Sequence, residues 1–405
     1  MRYERPHVPI ARMPPSTAAI DRDVLRARTA VAFVFGLNGV ALASWFARVP
    51  VARDALGLSA GQLGALLLAL SGGAVLALPV AGMTVHRLGS AKTVAAATTL
   101  ASAGLALTGI GAGVFGSTTI AAVGLFALGY GSGTCEVAMN VEGAVVERRL
   151  ARTIMPRFHA AWSLGTVSGA LAGAACARVG VPIAVHLSVA AVVMVTGTVL
   201  ATAAFLPDTA EGDQPRSARP RVLAAWREPR TLLVGLLVLV MGFTEGTAND
   251  WLAVAFVDGH EVGAAAGAAA FGVFVVAMTV GRTVGTAALD AWGRGPVLFG
   301  TMLAAAAGAL LAVLAGSVTL ALCGVALWGL GASLGFPVGM SAAADDEHLA
   351  PARVSVVAVI GYTAFLAGPP LVGFLGDHVG VLRALLVVPL VLVPALALIP
   401  AVRKP

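Results

Sequence analysis

The 405-residue sequence is poor in charged residues and in cysteine. Only 11% of its residues are charged, whereas a soluble domain has about 25%, so an ordinary water-soluble fold is excluded. Cys135, Cys176 and Cys323 lie in apolar surroundings without CxxC spacing or a nearby histidine pattern, so neither a disulfide framework nor a zinc site is expected. The 58% of hydrophobic residues indicates instead a protein with many membrane-spanning segments.

Motifs for enzyme and cofactor chemistry are absent as well. The chain has no Gly-rich phosphate loop, no GxSxG nucleophile elbow, and no HExxH or paired-Cys sequence. We therefore expect no enzyme activity, no bound cofactor and no metal site.

Twelve stretches of the chain are long and apolar enough to cross a bilayer, which takes about 20 residues each. The predicted spans are 29–48, 61–84, 93–114, 117–145, 157–178, 181–206, 231–257, 264–288, 296–315, 318–344, 354–376 and 381–401. This pattern predicts an all-α integral membrane protein. Residues 1–27 are expected to form a cytoplasmic tail. The polar stretch 207–230 is expected to link two six-helix halves, 28–206 and 231–405.

The distribution of basic residues predicts the orientation. With the N-terminus inside, 21 of the 26 Lys and Arg residues fall in inner segments, and only Arg48, Arg53, Arg178 and Arg383 fall outside. Such a bias places both termini in the cytoplasm. It also explains the net charge of +6 without nucleic acid as a partner.

Four related turns repeat along the chain, each between two apolar runs. They begin at Gly82, Gly173, Thr286 and Gly373. The steps are 91 residues within the first half, 87 within the second and 204 from one half to the other. The repeat predicts four three-helix units in two halves, an organisation typical of transporters.

Twelve spans with G-x-x-x-D-x-x-G turns resemble the major facilitator superfamily over nearly the whole chain. Several stretches are also similar to the YbjJ-type inner membrane proteins, a branch near the fucose permease group: those around Asn38 to Pro50, Glu136 to Gly143, Phe158 to Gly165 and Glu245 to Trp251. The first cytoplasmic turn departs from the family pattern, because His86 stands at its acidic position. The resemblance implies gating turns at Gly82, Arg87, Gly89, Asp290, Gly293, Arg294, Gly373, Asp377 and Gly380.

Polar residues deep in the predicted spans are candidates for function, because ionisable groups at the centre of a membrane cost about 2.5–3.5 kcal/mol or more. Counted from the nearest charged end, Asn38, Glu136, Glu245 and Ser333 lie about 15–22 Å into the membrane at ~1.5 Å per residue. They belong to spans one, four, seven and ten. The resemblance implies that these spans line a central cavity.

Glu136 is the first candidate for proton coupling or substrate binding. A carboxylate in low dielectric is easily protonated, and it can load and release a proton as the cavity changes sides. Asn140, one helical turn away, is expected to contact a polar substrate. The alternative is a structural Glu136 bound by His159 or Trp162 of span five.

Glu245, Asn249, Asp250 and Trp251 form the second cluster. Glu245 and Asn249 share a helix face and are expected at the substrate site. Asp250 fits either the cavity rim or a salt bridge at the end of the helix. Trp251 fits either stacking on an apolar sugar face or an anchor at the outer interface. Arg282 is expected either to neutralise a buried carboxylate or to cap a neighbouring helix, and the resemblance favours the cap.

Three further side chains are candidate supports of the site. His159 fits either a proton relay or plain packing, and Trp162 and Trp328 fit either the cavity wall or plain packing. Glycines on spans four and ten, among them Gly131 and Gly331, are expected to allow close helix contacts.

We predict from these observations a monomeric inner-membrane transporter that moves a small solute by alternating access. Proton-coupled import of a sugar or other polar metabolite is the main hypothesis, and its partners are the solute, protons and the lipid bilayer. Proton-antiport export of an amphipathic compound is the alternative. A membrane sensor or scaffold without transport is a hypothesis from a different class.

Overall fold

The computed structural model describes residues 22–150, 152, 154–207, 223–346 and 349–403. Within these ranges the regular structure is helical, with no strand. Most of the expected N-terminal tail, 1–27, and most of the expected linker, 207–230, lie outside the described residues. The functions assigned to these two segments stay predictions.

The described helices of the N-terminal half follow one another through short connections. They are α1 Arg22–Phe46, α2 Val49–Leu56, α3 Ala60–Leu88, α4 Ser90–Gly113, α5 Thr118–Leu150, α6 Met155–Arg178 and α7 Ile183–Thr202.

The C-terminal half repeats this arrangement with more interruptions. Its helices are α8 Pro229–Gly259, α9 Ala264–Trp292, α10 Arg294–Leu314, α11 Val318–Ala332, α12 Gly335–Ala343, α13 Ala350–Val379, α14 Val381–Ala384 and α15 Val387–Ala395, followed by a 3-10 helix, Leu396–Val402.

Twelve segments of the described chain are long and apolar enough to cross a membrane, which confirms the predicted number of spans. The tenth is made of α11 and α12 together, and the twelfth runs from Val381 to Val402. The predicted ends of spans two, four and eight, at 84, 145 and 288, are wrong by four or five residues. The helices continue through polar residues such as His86 and Arg148, because a helix need not end where its apolar stretch ends.

Two features of the helices were not predicted. The first is α2, where Pro50 and the charged Arg53 suggest a loop; proline is tolerated in a first helical turn, and Gly57 ends the helix in the left-handed conformation. The second is the interruption of the tenth span at Ser333 and Leu334, between α11 and α12.

The four repeated turns share one backbone feature. Gly89, Gly180, Gly293 and Gly380 have φ angles of 82°, 70°, 75° and 82°. Residues with a side chain rarely adopt this conformation, which glycine adopts at little cost. The sequence repeat therefore corresponds to a repeated tight turn between consecutive helices.

Close helix contacts occur at the glycines predicted to allow them. A Cβ atom on Gly131 of α5 would meet the backbone of Ala101 in α4, and one on Gly331 of α11 would meet the backbone of Ala305 in α10. Equivalent helices of the two halves thus use the same small-residue packing, as membrane helices commonly do.

The two halves meet mainly through two helix pairs, α3 with α13 and α6 with α9, and α1 and α2 add smaller contacts with α8 and α9. We call the membrane face that carries the connections 88–90, 150–155 and 292–294 the basic face, and the face that carries 113–118, 178–183 and 379–381 the opposite face. Near the opposite face, a Cβ atom on Gly64 would lie 2.5 Å from the carbonyl oxygen of Pro369, and one on Gly373 would lie 2.7 Å from that of Ala60. The halves are therefore in backbone contact there.

Candidate functional site

A cavity of about 1600 Å³ lies between the two halves. Helices from both halves contribute polar residues to its wall. They include Asn38 of α1, Ser132 and Glu136 of α5, His159 and Trp162 of α6, Glu245, Asn249 and Asp250 of α8, and Arg282 of α9. The wall thus contains most of the side chains that the sequence singled out, and both deep glutamates share one cavity.

The cavity extends to the basic face. Arg157, Asp290, Arg294 and Arg403, which lie at helix ends on that face, form part of its lining. At the other end Phe46 lines the cavity, and its ring meets the ring of Phe271 edge-on at a centroid distance of 6.0 Å. One aromatic residue from each half therefore closes the cavity toward the opposite face.

Polar contacts between the halves reinforce this closure. The Asp377 carboxylate accepts a hydrogen bond from the Ser59 hydroxyl (3.2 Å) and one from the Gly61 backbone N–H (3.0 Å), at the N-terminus of α3. A carboxylate is favoured there by the helix dipole. Arg53 forms an ion pair with Asp258 across the same boundary. Asp377 was predicted as part of a gating turn, whereas no sequence pattern pointed to its partners.

Glu136 is exposed to the cavity, and its carboxylate makes no hydrogen bond or ion pair with any other described residue. His159 and Trp162 do not bind it, so the alternative of a structural Glu136 held by span five does not fit. The structure places Asn140 away from the cavity, and its contact with a substrate stays a prediction. Its side chain is not part of the cavity lining and donates a hydrogen bond to the Glu136 carbonyl (2.8 Å), one turn back along its own helix.

Two further polar residues of the N-terminal half belong to the cavity lining, Asn38 and Ser132. By geometry, Asn38 Nδ2 and Ser132 Oγ have no hydrogen-bond partner in the described chain, and both atoms are buried. Buried polar groups usually have a partner. A solute or an ordered water would reach these two atoms only after neighbouring side chains move.

His159 and Trp162 of α6 both line the cavity. The imidazole ring of His159 packs edge-on against Phe35 at 5.3 Å, and its side chain is exposed. The structure therefore combines the two interpretations of His159, since one edge of the ring packs while the rest faces the cavity.

Glu245 differs from Glu136 because it has a cationic partner. Arg282 Nη2 lies 3.0 Å from both oxygens of the Glu245 carboxylate. Arg282 Nε also donates to the Ser333 carbonyl (3.3 Å), at the end of α11. Both interpretations of Arg282 are thus present together, because the side chain neutralises a carboxylate and caps a neighbouring helix.

The other three residues of the second cluster differ in their position relative to the cavity. Asn249 and Asp250 line the cavity, and Asp250 has no ion-pair partner among the described residues, so the cavity position fits and the salt bridge does not. Trp251 is fully buried and contributes neither to the cavity nor to a membrane interface. Its side chain is enclosed by protein in this structure, so an anchoring function at the membrane interface has no support from its position. Trp328 is buried against Phe274 and serves packing.

The turns on the basic face make contacts within their own halves. Arg294 donates to both Asp345 oxygens (2.8 and 3.0 Å) and to Ser341 Oγ (2.9 Å), all within the C-terminal half. Gly82 and Arg87 are exposed, as is Asp290 at the mouth of the cavity. Their function in gating stays a prediction.

Metal binding has no candidate in the described ranges, which contain no group of three or more His, Cys, Asp and Glu side chains placed to hold an ion. The chamber wall is mostly apolar, and its polar part consists of carboxylates, uncharged polar side chains, His159 and arginines, of which Arg282 is ion-paired to Glu245.

Fold and site together define a class: membrane transporters of two six-helix halves with a central cavity. Residues 28–346 match the sequence profile of the Major Facilitator Superfamily, and the chain belongs to this family. It is therefore a secondary transporter that moves its substrate across a membrane, and not an enzyme.

Relatives of known sequence agree with this assignment. An MFS-type transporter of Yersinia pestis is 29% identical over 346 residues, which cover 85% of this chain and 87% of the relative. The transporter y4wD of Sinorhizobium fredii is 30% identical over 359 residues, with 86% and 90% covered. Membrane protein MosC of Rhizobium meliloti is 29% identical over 362 residues, with 88% and 86% covered.

Solved structures share the fold at low sequence identity. A single-residue variant of the nucleoside transporter NupG superposes with a TM-score of 0.76 at 13% identity, covering 94% of this chain and all of the other. A single-residue variant of the E. coli fucose:proton symporter FucP gives 0.65 at 18% identity, with 95% and 100% covered.

Proposed function

We propose that the protein imports a sugar or another polar metabolite together with protons, by alternating access. It would act as a monomer in the cytoplasmic membrane, with both termini in the cytoplasm. The basic face is then the cytoplasmic face, since positively charged segments are retained inside. The structure described above corresponds in that case to an inward-open state.

The unpartnered carboxylate of Glu136 is the observation that carries the proposal. A charged carboxylate that loses contact with water is costly unless it is paired or protonated. Glu136 faces the cavity and forms no ion pair with the described residues, so closing the chamber around it favours uptake of a proton. Glu245 has less need of a proton, because Arg282 already balances its charge.

Uncharged polar groups in the cavity wall favour a polar solute as the substrate. Asn38 and Ser132 line the cavity on the N-terminal half, and Asn249 lines it on the facing half. Amide and hydroxyl side chains can both donate and accept hydrogen bonds, as recognition of the hydroxyl groups of a sugar or polyol requires. FucP, a protein of the same fold, is a fucose:proton symporter, so this fold accommodates such chemistry.

Export of an amphipathic compound by proton antiport is the second candidate. The apolar part of the cavity wall favours it: Leu42, Phe46, Leu78, Phe336 and Phe365 offer surface for a hydrophobic group. A scaffold without transport has little support, since the cavity is open and Glu136 faces it.

The test is solute flux in proteoliposomes under an imposed pH gradient, with fucose and a panel of other sugars and polyols as probes. For symport we expect uptake only when the source side is acidic, and loss of this dependence in Glu136→Gln. Glu261→Gln, an exposed carboxylate in the 260–263 connection, is the matched control and should behave like the unmodified protein. Gradient-driven uptake that survives in a well-folded Glu136→Gln variant would remove Glu136 from coupling. Expulsion of solute toward the acidic side would favour the antiport alternative.

A further inference from the structure

The break in the tenth span has a chemical cause in the sequence. In a continuous helix the Ser333 carbonyl would accept a hydrogen bond from the backbone nitrogen four residues later. That residue is Pro337, which has no N–H. The helix stops at Ala332 and restarts at Gly335, and the Ser333 carbonyl instead accepts a hydrogen bond from Arg282 Nε at 3.3 Å.

Arg282 thereby connects three helices. Its Nη2 atom holds the Glu245 carboxylate of α8 at 3.0 Å, while its Nε atom holds the break between α11 and α12. The packing around the break is tight. A Cβ atom on Gly281 would lie 2.5 Å from Ser333 Oγ, and one on Gly285 would lie 2.5 Å from the Leu334 side chain. The guanidinium is therefore held at a fixed point of the cavity wall.

The short helix beyond the break, α12, forms one side of the cavity near the basic face. Phe336, Pro337, Met340 and Ser341 all line the cavity. Arg294 holds the far end of α12 through Ser341 Oγ (2.9 Å). Arg282 holds one end of α12 and Arg294 holds the other. A change of backbone conformation at Ser333 and Leu334 would therefore reorient α12 and alter the width of the cavity opening at the basic face.

We propose that Arg282 is a positioning residue that makes the opening at the basic face depend on the charge of Glu245. With Glu245 charged, Arg282 is held in place and supplies the hydrogen bond that Pro337 cannot. With Glu245 neutral, Arg282 loses its anchor, the Ser333 carbonyl loses its donor, and α12 moves. The ion pair thus stabilises the state that is open at the basic face. This inference rests on the proposed transport function.

Other titratable or charged groups that line the same cavity as Arg282 belong to several elements. His159 lies on α6, in the N-terminal half. Asp250 lies on α8, Asp290 on α9, and Glu136 and Arg157 on the N-terminal half, all in the same cavity lining. Within the described chain, only Glu245 is within ion-pair distance of Arg282, so the proposal concerns this pair.

The experiment measures a distance inside the C-terminal half, between spin labels at Leu289 of α9 and Met340 of α12, with the three native cysteines replaced. Glu245→Gln and Arg282→Gln should shift the distance distribution and change the ratio of its two populations by about tenfold or more, the usual effect of losing a hydrogen bond to a charged group. The control Glu261→Gln should leave the distribution unchanged.

Two further variants separate this mechanism from a simple loss of structure. Pro337→Ala restores an N–H for the Ser333 carbonyl, so adding Glu245→Gln to it should no longer shift the distance. The charge swap Glu245→Arg with Arg282→Glu restores an ion pair but gives Ser333 no donor from position 282, and it should not restore the original distribution.

Three results would overturn the proposal: an unchanged distance in Glu245→Gln, a full shift by Glu245→Gln in the Pro337→Ala background, or complete rescue by the charge swap. Because both labels lie in one half, any of these results leaves the coupling of Glu136, tested by flux, unaffected.

Discussion

The two faces of the protein differ in which contacts hold them. At the opposite face, Asp377 binds the start of α3 and Arg53 pairs with Asp258, so bonds cross from one half to the other. At the basic face, the Arg294–Asp345 ion pair lies within the C-terminal half, and the Arg353–Glu228 ion pair joins that half to the residue that precedes α8, so neither pair crosses to the N-terminal half.

This difference indicates which bonds have to break during transport. Contacts that cross between the halves exist only while their face is closed. They must therefore break and form again as the protein changes between its two open states. Contacts within a half persist while the halves move, and they keep each half rigid. Removing the first kind is therefore expected to change conformation, and removing the second kind to change stability.

The largest effect is expected from Arg53→Gln combined with Asp377→Asn. The pair removes the Arg53–Asp258 ion pair and the negative charge at residue 377, although the amide oxygen introduced at position 377 can still accept hydrogen bonds. Hydrogen bonds to charged groups are worth about 1.5–3 kcal/mol each, and the lower value applies to these substitutions. The equilibrium should move toward opening of that face by about 100-fold. Spin labels at Val114 and Gly316, in two connections of the opposite face, should report a longer distance. Asp54→Asn is the control, because Asp54 is adjacent to Arg53 but has no side-chain hydrogen bond or ion pair with the described residues of the other half. Equal distances in the double variant and in the control would show that these contacts do not keep the opposite face closed.

A smaller shift in the same direction is expected from Gly61→Ala. The added Cβ would clash with a carboxylate oxygen of Asp377, so the two groups must separate. Overpacking of this kind costs about 1–3 kcal/mol, but here the carboxylate has room to retreat, so the lower value applies. The same pair of labels measures the change. Gly263→Ala, where the new Cβ would meet open space, serves for comparison and should leave the distance as it was.

The smallest effect concerns a contact within one half. Arg353 donates to Glu228 (2.6 Å), and this hydrogen bond holds the pKa of Glu228 below its ordinary value. A lowered carboxyl pKa stabilises the fold above the ordinary Glu value of about 4.3, and this stabilisation is lost as the pH falls through the lowered pKa. Glu228→Gln should therefore lower stability near neutral pH by about 0.5–1 kcal/mol and have no effect in acid. Thermal unfolding in detergent checks this; a change in the Val114–Gly316 distance would show that the contact also acts on conformation.

The sequence was sufficient for features that depend on composition and spacing. Twelve apolar stretches determined the number of spans, and the recurring glycines marked turns that are the same in the structure. Counting residues from charged ends placed Asn38, Glu136 and Glu245 at a depth where the cavity lies.

The sequence did not predict which way a side chain points around its helix axis, or which residues far apart in the chain are in contact. Asn140 and Trp251 lie on polar-looking stretches but turn away from the cavity. The pairing of Arg53 with Asp258 joins residues 205 positions apart, and no local pattern connects them. The break at Ser333 did have a signal, Pro337 within the tenth span, whereas the donor that replaces its missing N–H comes from another helix.

The most direct measurement records both faces in the same protein. Labels at Leu88 and Trp292 report the separation of the halves at the basic face, and labels at Val114 and Gly316 report it at the opposite face. For alternating access we predict opposite changes: in the Arg53→Gln, Asp377→Asn variant the distance at the opposite face lengthens while the distance at the basic face shortens. If both distances lengthen together, or if the basic face stays open when the opposite face opens, the two faces are not coupled and the account is contradicted.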